Sequence, residues 1–187
     1  MLTATAYDTH VEQLFDRVRQ LHRLLTAAGV PYRIIGGLAV FIHVYARDPL
    51  RARLTADVDA AISREHLTSV VAAAQTAGWV YRRAAGVDML VDAEQPKARS
   101  AVHLVFLHEK VRPEYVEPVP ESLPEKTEEG ILLAPVADLV RMKLTSYRLK
   151  DRVHIQDLDG VGLITPEIEA DLPELLRVRL AEVRASE

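Results

Sequence analysis

Two aspartates separated by one residue, Asp57 and Asp59, and two glycines upstream, Gly36 and Gly37, are where this 187-residue chain could do chemistry. In an extended segment, side chains at i and i+2 point to the same side. Asp57 and Asp59 are therefore expected side by side, with Val58 turned into the core. Adjacent carboxylates repel each other unless a cation lies between them. Hard oxygen ligands, few in number and with room left for phosphate and water, suit Mg²⁺ or Mn²⁺. The glycines supply the complementary half. A strand that runs into Gly-Gly and then a helix lets backbone approach a ligand closely, and the helix N-terminus offers free N–H groups to phosphate oxygens. The expected site thus holds a nucleoside triphosphate at Gly36 and Gly37, with Asp57 and Asp59 as metal ligands and catalytic carboxylates. Each half has a plainer explanation alone: Gly-Gly also makes a tight turn, and Asp-Val-Asp also makes a solvent-facing strand edge.

The surrounding elements follow from periodicity. Val11, Leu14, Val18, Leu21, Leu24 and Leu25 recur at helical spacing over Thr9–Ala28, and Gly29 is a stop signal. Tyr32–Ile35 reads as a strand, Leu38–Tyr45 as a buried helix, Arg47–Arg53 as a loop, and Ala56–Ile62 as a second strand. Ser63 is a candidate N-cap for a helix running to about Ala77. Three extended stretches follow: Trp79–Arg83, Val87–Val91 and Ala101–Leu107, with a hairpin loop expected over Asp92–Ser100. Arg112–Gly130, rich in proline and carboxylates, reads as an irregular and soluble acidic crossover. Helices are expected after Pro135, again through Asp157 beyond a break near Lys150, and after the cap-then-proline pair Thr165-Pro166. Helix, strand, helix, strand, helix, several strands and then helices imply an α/β (α+β) fold, a mixed β-sheet flanked by helices with a helical C-terminal portion. One domain over 1–187 is expected: a sheet core over 1–112, the crossover over 113–134 and a helical part over 135–187.

Ile35-Gly36-Gly37 followed by Asp57-Val58-Asp59 resembles the signature of the nucleotidyltransferase superfamily. The spacer is longer than in the smallest members, which places the extra residues around Arg47–Arg53. Leu139–Leu158, with Lys143, Arg148, Lys150, Asp151 and Asp157, is similar to the helical segment of AbiEii-like toxins and related nucleotidyltransferases. The resemblance spans about Tyr32–Leu158. It implies that Lys143 and Asp157 join the active site, Lys143 against the phosphates and Asp157 orienting Lys143 or helping to activate the acceptor. It also implies transfer of a nucleoside monophosphate from NTP to a hydroxyl of RNA, protein or a small molecule, with tRNA as a toxin-like acceptor and an antitoxin as partner. Members often carry a third carboxylate on a later strand. Here that slot falls in Ala101–Phe106, where His103 stands instead, a possible metal ligand or base but a poorer partner for Mg²⁺. Asp88 and Asp92 on the preceding strand are candidates to compensate. Each of these residues has an ordinary alternative: an exposed helix lysine for Lys143, a cap or a pair with Arg152 for Asp157, a satisfied sheet histidine for His103, and a solvated helix face for Arg141, Arg148 and Lys150.

Composition narrows the classes. The chain is 49% hydrophobic and 27% charged, ordinary for a globular protein. Its net charge of -4 and pI near 6.0 show no overall basic surplus for nucleic acid. It contains no cysteine, which excludes disulfides, zinc–thiolate sites and thiol nucleophiles. No signal-peptide pattern and no apolar run of membrane-spanning length are visible, so a cytoplasmic location is expected. Two non-enzymatic readings stay open: a nucleotide-binding module without turnover, and a protein-interaction module.

Overall fold

The computed structural model describes residues 4–94 and 101–186. The first helix, α1 (Ala4–Ala27), buries Leu14, Val18, Leu21 and Leu25, four side chains on one helical stripe. It ends as the sequence predicts. Gly29 adopts φ +63°, Val30 N–H donates to Leu25 O at 2.9 Å, and Gly29 N–H donates to Thr26 O at 3.1 Å, a Schellman closure.

The chain then enters the middle of a seven-stranded mixed sheet. Its strands are β1 (Tyr32–Ile35), β2 (Val58–Ile62), β3 (Trp79–Ala84), β4 (Val87–Asp92), β5 (Val102–Phe106), β6 (Glu125–Lys126) and β7 (Leu132–Leu133), in the order β3-β4-β5-β2-β1-β7-β6. β2 runs antiparallel to β1 and parallel to β5, and β4 runs antiparallel to both β3 and β5. All four β1 residues are buried, as expected of a strand covered on both faces. The register sets Ile35, Asp59 and His103 in one row across β1, β2 and β5. Cross-strand partners project to the same face, so pairing alone brings Asp59 and His103 together.

Helix α2 (Gly36–Arg47) starts at the glycines themselves, two residues before the expected start. It packs on β1 and β2 and on two later helices, α4 (Val136–Ser146) and α5 (Leu149–Gly160). The helix expected after Ser63 is instead a 3₁₀ turn, Arg64–His66, followed by α3 (Leu67–Thr76), and Ser63 makes no side-chain cap. Arg64, in that turn, pairs with Glu109 and lies over the Phe106 ring at 3.7 Å. α6 (Pro166–Ala170) is capped by Thr165 Oγ1, which accepts Ile168 N–H, and α7 (Glu174–Ala185) follows Pro173. The hairpin loop expected over Asp92–Ser100 lies largely outside the described residues.

The crossover is more than a soluble connection. It supplies β6 and β7 and is latched onto the sheet. Buried Arg33 donates to Ser122 O at 2.7 Å and to Glu121 at 3.1 Å, and buried Asp138 accepts from Ser122 N–H and Oγ–H. The latch gives two buried charges, Arg33 and Asp138, hydrogen-bond partners on one short stretch of the crossover.

Candidate active site

A cleft of about 680 Å³ opens where β1, β2 and β5 meet α4 and the start of α5, within the usual size range of ligand sites. Gly36, Asp57, Asp59, His103 and Lys143 all line it. Asp59 is on β2. Asp57 is just outside, on the irregular segment that feeds the strand, because the β ladder begins at Val58. Val58 is fully buried, while the side chains of Asp57 and Asp59 are 45% and 26% exposed. Both carboxylates can therefore meet a ligand in the cleft.

Gly36 has φ +74°, and a Cβ placed there would lie 2.0 Å from Asp59 Oδ2. Only glycine leaves room for the Asp59 carboxylate against the first turn of α2. Gly37 has a different reason for being small. A Cβ there would meet Thr55 Oγ1 at 3.0 Å and His154 Cε1 at 3.3 Å, so it serves packing behind the cleft and does not line it.

His103 is tied to Asp59, with Nδ1 3.0 Å from Oδ1. An ionised carboxylate can only accept, so Nδ1 carries the proton. That hydrogen bond holds the imidazole above its ordinary pKa, against the opposing effect of burial. With Nδ1 committed to Asp59, only Nε2 is left to ligate an ion. Lys150 Nζ lies 3.9 Å from Asp57 Oδ2, a loose pair between half-exposed side chains. Among the described residues, no group of three or more His, Asp or Glu side chains is gathered as a metal cage. Two partly exposed aspartates in one cleft, one of them packed against Gly36, fit an ion that takes two protein carboxylates and completes its shell with phosphate and water, the habit of Mg²⁺.

Lys143 reaches the cleft from α4 with only 7% of its side chain exposed. Its partner is not Asp157 but Asp151, at 3.2 Å. Asp151 is completely buried and also accepts from Ser146 Oγ at 2.8 Å and from Arg148 Nε at 2.6 Å, Nη2 at 3.2 Å and backbone N at 3.2 Å. Burial works to raise the Asp151 pKa, but Arg148, Lys143 and Ser146 outweigh it and lower it to about 2. Burial pulls the Lys143 ammonium below the ordinary lysine range while Asp151 opposes, and the field of Asp59 also reaches it. Tyr147, at φ 48°, makes the sharp turn between α4 and α5 that lets Lys143 and Asp151 meet. Asp151 received no role from sequence reasoning. Its signal was its position three residues after Arg148 at a helix start, where a carboxylate can accept the cap N–H.

Asp157 does not line the cleft. It accepts from Arg53 Nε at 2.9 Å, and burial raises its pKa while Arg53 opposes. Of the two compensating candidates, Asp88 lines the cleft but is buried and already bonded by the Tyr81 hydroxyl, with Arg83 3.9 Å away. Asp92 ends β4 and accepts Glu94 N–H. Arg148 and Lys150 line the cleft, whereas Arg141 is bound to Asp171.

No protein-family model matches this sequence, and no curated protein does. Solved structures do match. The crystal structure of ANT(2")-Ia in complex with adenylyl-2"-tobramycin aligns over 91% of this chain and 98% of its own, with 15% identity and a TM-score of 0.51. The fold is that of a nucleotidyltransferase. The solution structure of the antibiotic-resistance factor ANT(2'')-Ia aligns over 92% of this chain and 85% of its own, with 16% identity and a TM-score of 0.45. Neither structure is of an AbiEii-like toxin. Among the described residues, no helix of this nucleotidyltransferase fold is long and apolar enough to cross a membrane.

Proposed function

We propose that the chain is a metal-dependent nucleotidyltransferase that moves a nucleoside monophosphate from NTP to an acceptor hydroxyl and releases pyrophosphate. One observation carries this reading: Asp57 and Asp59, both open to solvent, share a cleft with the glycine that starts α2. The nucleotidyltransferase fold supports it. Asp57 and Asp59 would hold Mg²⁺ or Mn²⁺, which when bound neutralises phosphate charge and aligns the α-phosphate. The free N–H groups at the start of α2 would receive phosphate oxygens. His103 would hold Asp59 in one orientation through Nδ1–H. Lys143, kept in place by Asp151, would meet the charge that develops on the phosphates. Most of the rate gain in such a site comes from positioning and preorganised charge.

The acceptor is a hydroxyl of RNA, protein or a small molecule. A tRNA acceptor and an antitoxin partner belong to the AbiEii-like version of this reading, and NTP-dependent chemistry fits a cytoplasmic location. A second reading rests on His103. With histidine in the slot where a third carboxylate often stands, the cleft would bind Mg–NTP without turning it over. A single pair of measurements separates the two. Calorimetry should detect Mg²⁺-dependent NTP binding, and each α-labelled NTP offered with RNA, protein and small-molecule cell fractions should transfer label to one of them. Binding without transfer selects the second reading, and absence of both overturns the two together.

A further inference from the structure

Asp157 is a buried carboxylate outside the cleft, and its neighbours show what it holds. Lys150, His154, Asp157 and Gly160 recur along α5 at helical spacing and meet the chain between Arg51 and Asp57 or the glycine turn beside it. Gly160 O accepts from Arg51 Nη1 at 2.7 Å, and a Cβ at Gly160 would come within 2.6 Å of that nitrogen. Asp157 Oδ1 accepts from Arg53 Nε at 2.9 Å. His154 and Thr55 both border the space where a Cβ at Gly37 would stand, and Thr55 Oγ1 accepts from Asp57 N–H at 3.4 Å. Lys150 Nζ lies 3.9 Å from Asp57 Oδ2. Residues 52–57 form neither helix nor strand, so these contacts hold the arm in place of a backbone ladder.

The asymmetry of the Arg53–Asp157 pair gives its direction. The Asp157 side chain is 8% exposed and that of Arg53 is 67% exposed. The carboxylate is fixed in the helix, and the arginine is the end that is tethered. Arg53 precedes Asp57 by four residues, and Val58 just beyond is anchored in the β ladder. Loss of the tether loosens the segment that leads into Asp57, whereas a metal ligand must be held within about 0.5 Å.

We propose that Asp157, through Arg53, is a positioning residue that sets the arm delivering Asp57 to the cleft, and that it does not itself touch the nucleotide. This rests on the nucleotidyltransferase reading and assigns Asp157 a task different from the one the family resemblance implies. The test uses the full chain. Hydrogen exchange of the metal-free protein needs no nucleotide, so it judges the tether independently. Arg53→Gln and Asp157→Asn should each speed exchange at Asp57, whose N–H donates to Thr55 Oγ1, about tenfold, with β1 and β5 unchanged. Each should also raise the Mg²⁺ concentration for half-maximal binding of a non-hydrolysable ATP or GTP analogue about tenfold. Arg53→Lys should retain most of the wild-type behaviour, and the double variant should be no worse than either single one. Arg53 is exposed, so its variants test the idea even where Asp157→Asn unfolds the protein. Wild-type exchange at Asp57 in Arg53→Gln overturns the proposal, as do additive effects in the double variant. Absence of nucleotide binding in the wild type overturns the functional reading and leaves the exchange result to decide the tether.

Discussion

Asp151 and Asp57 sit beside the same cleft in opposite circumstances. Asp151 is completely buried and accepts five hydrogen bonds from Lys143, Ser146 and Arg148. Asp57 is half-exposed, with one lysine at 3.9 Å, and Asp59 has a single histidine partner. A carboxylate with its full set of donors is spent on structure, holding Lys143 and the α4–α5 turn in place. On the proposed reading, carboxylates left short of donors in one cleft are available to a cation that arrives from outside. Satisfied charge builds the wall of the site, and unsatisfied charge does its work.

Substitutions at the two centres should therefore separate activity from stability. The largest effect is expected at Asp59→Asn. Label transfer should fall by about 10³-fold, with circular dichroism unchanged, because on the proposed reading a metal ligand is lost, while the asparagine oxygen can still accept the His103 hydrogen bond. Retained transfer in that variant would remove Asp59 from the site. Asp151→Leu should do the reverse first, lowering unfolding free energy by about 3–5 kcal/mol in urea titrations, since Lys143 and part of Arg148 are left buried without their anion. A loss below about 1 kcal/mol would mean that water replaces Asp151 and the network is not structural.

Acid sharpens the same contrast. Burial first, then Lys143, lowers the His154 pKa to about 4. The unfolded chain binds this proton at about 6.5, so stability present above that pH is lost as pH falls from about 6.5 to 4, by up to about 3 kcal/mol. Asp151, lowered to about 2, adds stability that is present above its unfolded pKa of about 4 and fades only below that. Urea midpoints followed against pH should show these two stages, and His154→Gln should flatten the upper one. A single stage below pH 4 in the wild type would contradict the histidine contribution.

The smallest effects concern glycine. Gly29 and Gly36 share a left-handed backbone, but Gly29 has open space around it and Gly36 has Asp59 against it. Gly29→Ala should cost about 1 kcal/mol of stability and leave nucleotide binding alone. Gly36→Ala should cost at least as much and also weaken Mg–NTP binding, because the methyl displaces Asp59. Equal behaviour of the two variants in a binding titration would show that Gly36 is only a turn.

Much of the architecture was legible from periodicity, because the apolar stripe of α1, the buried run of β1 and the turn glycines are local consequences of side-chain type. The cap at Thr165 is of the same kind. Ser63 makes no cap, and the 3₁₀ turn that follows it carries Arg64 to Glu109 and Phe106, residues more than forty positions away that local spacing does not reveal. Sequence spacing singled out Asp57 and Asp59, which line one cleft although Asp57 lies just outside the strand whose alternation suggested the pair.

By itself the sequence determined which residue types were available and which neighbours along the chain shared a face: two carboxylates, a glycine turn, and a lysine and two aspartates on later helices. Tertiary structure decided which of those later groups reach the cleft. Asp151 rather than Asp157 meets Lys143, because the left-handed turn at Tyr147 folds α5 back on α4 and sends Asp157 to the far stretch of the helix, against Arg53. Periodicity sets the direction of a side chain on its own element, but the partner it finds depends on how elements pack, and that is a property of the whole chain.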